Sequence, residues 1–134
     1  MKILGIDDNL DIDELLFFAL NAYGHEFSYV QNGKEGIEKI RHNSYDLVLL
    51  DVAMPEFSGM DVLESLGREE LIGKQKIVLF TASDILDEEK NDLLKKGVTA
   101  FIKKPIDLNT LLQKLDELNN MTCKGTVNLS VDQS

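Results

Sequence analysis

Residues 45–59 read Tyr-Asp-Leu-Val-Leu-Leu-Asp-Val-Ala-Met-Pro-Glu-Phe-Ser-Gly, and this stretch decides the fold. Leu47 to Leu50 form a short unbroken apolar run, the pattern of a strand buried on both faces of a parallel sheet. The run ends on an acid, Asp51. Met54-Pro55 and Gly59 then turn the chain into the next segment, where Ser58 and Asp61 have the spacing of a helix start.

The same alternation runs through the chain. Further buried-type strands are predicted over residues 2–6 and 77–80, with weaker ones over 26–31 and 98–102. Between them, helical periodicity covers 11–23, with Ile12, Leu15, Leu16, Ala19 and Leu20 expected on one inward face and Gly24 as the stop. A second helix is predicted over 34–42 with Ile37 and Ile40 inward, and a third from Ser58 through Val62, Leu63 and Leu66. A fourth covers 87–96 and stops at Gly97. The fifth, over 108–118, carries Leu111, Leu112, Leu115 and Leu118 toward the sheet behind a cap at Asp107. Five strands alternating with five such helices imply right-handed crossovers and a doubly wound α/β domain over residues 1–119. Residues 120–134 read as a C-terminal tail; Val127 to Val131 alternate as a strand added to a sheet edge would, or fray as termini do.

Open parallel sheets gather functional groups beyond the carboxyl ends of their strands. Four strand ends here carry polar signals: Asp7-Asp8, Asp51, Thr81 and Lys104-Pro105. Three carboxylates in one small volume repel one another unless a cation is present. Oxygen donors without His or Cys favour a hard divalent ion, Mg²⁺ above all, over zinc or copper. Asp8 and Asp51 are the natural direct ligands, Asp7 a ligand through water, and the Ala53 carbonyl a further donor. A carboxylate beside a metal, a hydroxyl and an ammonium suits phosphoryl transfer. Asp51 would be the nucleophile, with Thr81 and Lys104 each taking one phosphoryl oxygen. A constrained Lys104-Pro105 step would aim the ammonium inward. Taken singly, each group has an ordinary explanation: Asp-Asp as a solvated turn, Thr81 as a cap, Lys103-Lys104 as a wet pair.

Composition narrows the function. The 134 residues are 43% hydrophobic, and 24 acidic against 14 basic side chains leave a formal charge of −10. Such a balance argues against nucleic-acid binding and against docking on anionic membranes. Cys123 is the single cysteine, so no intramolecular disulfide forms. No apolar run approaches the roughly 18 residues of a membrane span, and a strand begins within two residues of Met1; a cytoplasmic location is expected. Gly5 interrupts the first strand and indicates close packing.

Together, residues 3–9 (Ile-Leu-Gly-Ile-Asp-Asp-Asn), 46–61, 78–83 (Val-Leu-Phe-Thr-Ala-Ser) and 101–105 (Phe-Ile-Lys-Lys-Pro) resemble the receiver domain of two-component response regulators. The resemblance covers about residues 2–118. It implies a CheY-like, flavodoxin-like sheet of order 2-1-3-4-5. It also implies phosphorylation of Asp51, with Mg²⁺, by a sensor histidine kinase or a His phosphotransfer protein. Asp7 and Asp8 would serve the metal, Thr81 and Lys104 the phosphoryl group. Thr81 and Phe101 would act as the switch, Phe101 standing where many members have Tyr. The output surface would be the fourth helix, fifth strand and fifth helix, read by a downstream effector protein or by a second copy in a homodimer. Asn9 replaces a common acid, and Ala53 and Ser83 occupy positions that tune hydrolysis. His25 and His42 lie away from the site. No output domain fits into the 15 residues after Asn119, so a stand-alone regulator is expected. Other readings are a Mg²⁺-dependent phosphatase, for which Ala53 stands where a second acid is wanted, a receiver that carries no phosphate, and a flavin-binding domain, for which no phosphate loop follows the first strand.

Overall fold

A computed structural model describes residues 1–54, 56–82, 85–104 and 107–120. Strands β1 (Lys2–Ile6), β2 (Glu26–Val30), β3 (Leu47–Asp51), β4 (Lys76–Thr81) and β5 (Ala100–Lys103) pair in parallel in the order β2-β1-β3-β4-β5. Helices α1 (Leu10–Ala22), α2 (Gly33–His42), α3 (Gly59–Arg68), α4 (Asp87–Lys96) and α5 (Leu108–Asn120) supply the crossovers. This is the CheY-like arrangement expected from the sequence. Pro55, Ser83, Pro105 and the tail with Cys123 and Val127 to Val131 lie outside the described residues.

Alternation along β3 divides the core. Leu47 and Leu49 join Ile3, Leu16, Leu20, Val78, Phe80, Leu111, Leu115 and Leu118 on the face covered by α1 and α5. Val48 and Leu50 join Leu4, Ile6, Ile37, Ile40, Val62, Leu66, Leu79 and Leu93 on the opposite face, under α2, α3 and α4. Each fully buried aliphatic side chain stabilises by about 1.5–3 kcal/mol relative to exposure. Leu111, Leu115 and Leu118 are the buried contacts that seat α5, which carries no basic residue in its last turn. Gly5 is where close packing requires it, since a Cβ there would stand 2.6 Å from Phe27 Cζ.

Local signals work as expected at the helix ends. Ser58 and Asp61 form a reciprocal capping box at the start of α3, and Gly97 ends α4 at φ +114°. Asp107 accepts from the Thr110 backbone N–H at 3.2 Å and its hydroxyl at 2.6 Å.

Two expectations need correction. Leu15 is not on the inward face of α1; it is 48% exposed, and the inward line is Asp13, Leu16 and Leu20. Positions 13, 16 and 20 follow the three- and seven-residue spacing of one helix stripe, whereas Leu15 lies roughly 100° from Leu16 around the axis. Strand β5 begins at Ala100, two residues later than expected. Val98 N–H instead donates to the Leu93 carbonyl (3.1 Å) in the turn that closes α4, so residue 98 belongs to the helix stop. A 3₁₀ turn, Ile72–Lys74, precedes β4; its Lys74 ammonium donates to the carbonyls of Ile40 (2.6 Å) and Asn43 (2.8 Å), at the end of α2.

Candidate functional site

The carboxyl ends of β1, β3, β4 and β5 converge, and each brings one of the residues singled out in the sequence. Asp7 follows β1 directly; its N–H donates to Val30 O at 3.2 Å, and the residue is 3% exposed. Oδ1 of Asp7 accepts from the Asn9 N–H (2.9 Å), while Asn9 caps α1 by accepting from the N–H groups of Asp11 and Ile12. Asp8 is exposed. Asp51 is the last residue of β3, buried, with Oδ1 accepting from Ala53 N–H at 3.3 Å. Ala53 itself is exposed two residues on.

Gly59 allows this approach. A Cβ at that position would stand 2.9 Å from Val52 Cα and 3.1 Å from the Asp51 carbonyl carbon, so the first residue of α3 leans on the backbone that presents Asp51. Gly59 N–H donates to Val52 O (3.1 Å), and Val52 N–H to Phe80 O (3.1 Å), fastening the loop to β4.

Thr81 closes β4 and is buried. Its carbonyl accepts from Lys104 N–H at 2.8 Å, which turns the chain after β5 toward the cluster. Lys104 Nζ then reaches Asp7 Oδ2 at 3.0 Å and Asp51 Oδ1 at 3.4 Å. Phe101, on β5, is half-buried against the α2–α3–α4 core, with Lys90 Nζ 6.0 Å from its ring centroid.

Electrostatics follow from this crowding. Burial raises the Asp51 carboxyl above its ordinary value, the Asp7 charge raises it further, and Lys104 and the Ala53 N–H oppose both. Burial alone would lower Lys104, but the hydrogen bond and charge of Asp7, with Asp51, more than offset it and leave the ammonium raised. The lysine is thus held charged between two carboxylates.

One oxygen from each of Asp7, Asp8 and Asp51 lies within 4.8 Å of the others. Hard oxygen donors at this separation fit a hard divalent cation such as Mg²⁺. A residue not singled out from the sequence adds to the demand for positive charge. Asp13 is 0% exposed, and neither carboxylate oxygen has a hydrogen-bond partner among the described residues. Burial, then the charges of Asp7 and Asp8, push it up to about 7, with Lys104 opposing and Asp51 adding. Its place in line with Leu16 and Leu20 is the sequence signal that would have marked it as buried.

The chain is similar to known proteins over most of its length. The profile of the response regulator receiver domain matches residues 3–116. The transcriptional regulatory protein CiaR of Streptococcus pneumoniae is 31% identical over 118 residues, covering 88% of this chain and 51% of its own length. Response regulator TrrA of Thermotoga maritima, solved in complex with Mg²⁺-BeF, is 32% identical with a TM-score of 0.71, covering 87% of this chain and 97% of that one. Chemotaxis protein CheY4 of Vibrio cholerae is 25% identical with a TM-score of 0.78, again over 87% of this chain and 97% of that one. The chain spans between about a quarter and about half of the length of the curated relatives it matches. Among the described residues, no helix is long and apolar enough to cross a membrane.

Proposed function

This chain belongs to the response regulator receiver domains, a family of signalling domains that bind Mg²⁺ at an acidic pocket, and from that premise we propose that it is phosphorylated on Asp51 by a histidine-borne phosphoryl group. The observation that carries the reading is Lys104 Nζ held at 3.0 Å from Asp7 and 3.4 Å from Asp51 in a pocket with three convergent carboxylates.

Asp51 presents a carboxylate oxygen to phosphorus; the O–P bond forms as the P–N bond to the donor imidazole breaks. Lys104 is already charged and needs only to exchange one carboxylate partner for a phosphoryl oxygen. Thr81, at the end of β4, offers its hydroxyl to another. Mg²⁺, held by Asp8 and Asp51 with Asp7 acting through water and the Ala53 carbonyl as a further donor, would neutralise charge on the phosphoryl oxygens. Thr81 and Phe101 then pass the change to the face of α4, β5 and α5, where an effector protein or a second copy docks. A sensor histidine kinase or a His phosphotransfer protein supplies the phosphoryl group, and a cytoplasmic location belongs to the same reading.

Incubation with acetyl phosphate and measurement of intact mass tests this. A gain of one phosphoryl group that needs Mg²⁺ and disappears in Asp51→Asn is expected. No gain under conditions that label an established receiver refutes the proposal.

A further inference from the structure

Asp13 has no part in that chemistry, yet its burial is complete and its two carboxylate oxygens have no hydrogen-bond partner among the described residues. An unpaired buried carboxyl is costly and calls for an explanation, a bound ion or its water among them. Among the described residues, the one other buried side-chain atom without a partner is the amide oxygen of Gln75, so Asp13 stands out as the orphaned acid.

Its surroundings point to the explanation. The charges acting on it are those of Asp7, Asp8, Lys104 and Asp51, the four charged groups of the site. It is nevertheless outside the set whose oxygens lie within 4.8 Å of one another, so it is not one of the direct ligands. Mg²⁺ dehydrates reluctantly and keeps several waters, each of which donates two hydrogen bonds. Unpartnered carboxylate oxygens outside the ligand set are acceptors for such waters. Asp13 also lies near the start of α1, where Asn9 caps the helix and the macrodipole favours a negative group.

We infer that Asp13 is a fourth carboxylate of the cation site, a positioning residue that accepts hydrogen bonds from the ion's bound water and raises the site's affinity for the ion. The inference rests on the cation role proposed for Asp7, Asp8 and Asp51. It changes the charge balance: three acids and one lysine leave a deficit that a divalent ion fills, and Asp13 deepens it.

Isothermal titration of the full chain with MgCl₂, at slightly alkaline pH and without phosphodonor, tests it. Asp13→Asn is nearly isosteric and is expected to weaken Mg²⁺ binding by about 10- to 100-fold, the usual effect of losing an outer partner. Asp13→Leu, the residue type already present at Leu16 and Leu20, suits the buried stripe and is expected to show the same loss. Unchanged affinity in either folded variant overturns the inference and leaves the proposed function standing. Native protein that binds no Mg²⁺, with Asp8→Asn indistinguishable from it, overturns both.

Discussion

Without divalent cations, Asp13→Asn should stabilise the protein at neutral pH and leave it nearly unchanged in acid. The native carboxyl is raised from 3.8 to about 7. Below pH about 4, folded and unfolded chains both hold the proton, and Asp13 makes no difference. Between about 4 and 7 the unfolded chain loses it while the folded chain keeps it. The unfolded state then binds fewer protons, so stability falls as pH rises. Above about 7 both are ionised, and the full cost is present. At about 1.4 kcal/mol for each pH unit of that window, the cost is about 4 kcal/mol. With a urea m-value of about 2 kcal/mol/M, native and variant midpoints should separate by about 2 M. The chain has no Trp, so far-ultraviolet circular dichroism is the natural probe. Taking the difference between the two proteins cancels the titrating groups remote from Asp13, whereas the charges of Asp7, Asp8, Lys104 and Asp51 act on it and stay in the difference. A separation that grows from pH 4 to 7 and then levels is the expected signature; saturating Mg²⁺ should narrow it. A separation independent of pH, or a variant less stable at pH 7.5, would refute the reasoning.

Two further predictions concern the groups around it. Lys104→Met keeps the length of the side chain but leaves Asp7 and Asp51 buried without their cation; thermal melts in EDTA should show a loss of about 3 kcal/mol, partly restored by Mg²⁺. Gly59→Ala places a methyl group against the Asp51–Val52 backbone, and a loss of about 1–3 kcal/mol is expected, with slower acetyl phosphate labelling measured by mass.

Much of this architecture could be read from short-range signals. Ser58 with Asp61, Gly97 and Asp107 mark helix ends because capping is a contact within a few residues. Asp7, Asp51, Thr81 and Lys104 were legible as a group because a parallel sheet converts strand ends into one crevice. Other features escaped. Asp13 reads as a surface acid on hydropathy, since burying a charge is expensive, and assigning the inward place to Leu15 follows from the same preference. Only the i, i+3, i+7 line through Leu16 and Leu20 shows otherwise. The 3₁₀ turn at Ile72–Lys74 depends on carbonyls of Ile40 and Asn43, more than thirty residues away, which no local pattern contains. The late start of β5 likewise reflects competition for Val98 between a strand and the turn that ends α4.

The ion pair between Lys104 and Asp7 joins residues 97 positions apart, and the lysine sits just past β5, a four-residue edge strand that pairs with β4 alone. Edge strands of this kind open by local fluctuation well before the domain unfolds. Each opening of β5 that carries Lys104 away leaves Asp7 and Asp51 to face one another, so the charge in the crevice sets the free energy of fraying at the sheet's margin. Amide exchange along Ala100–Lys103 should therefore report the ionic state of the pocket.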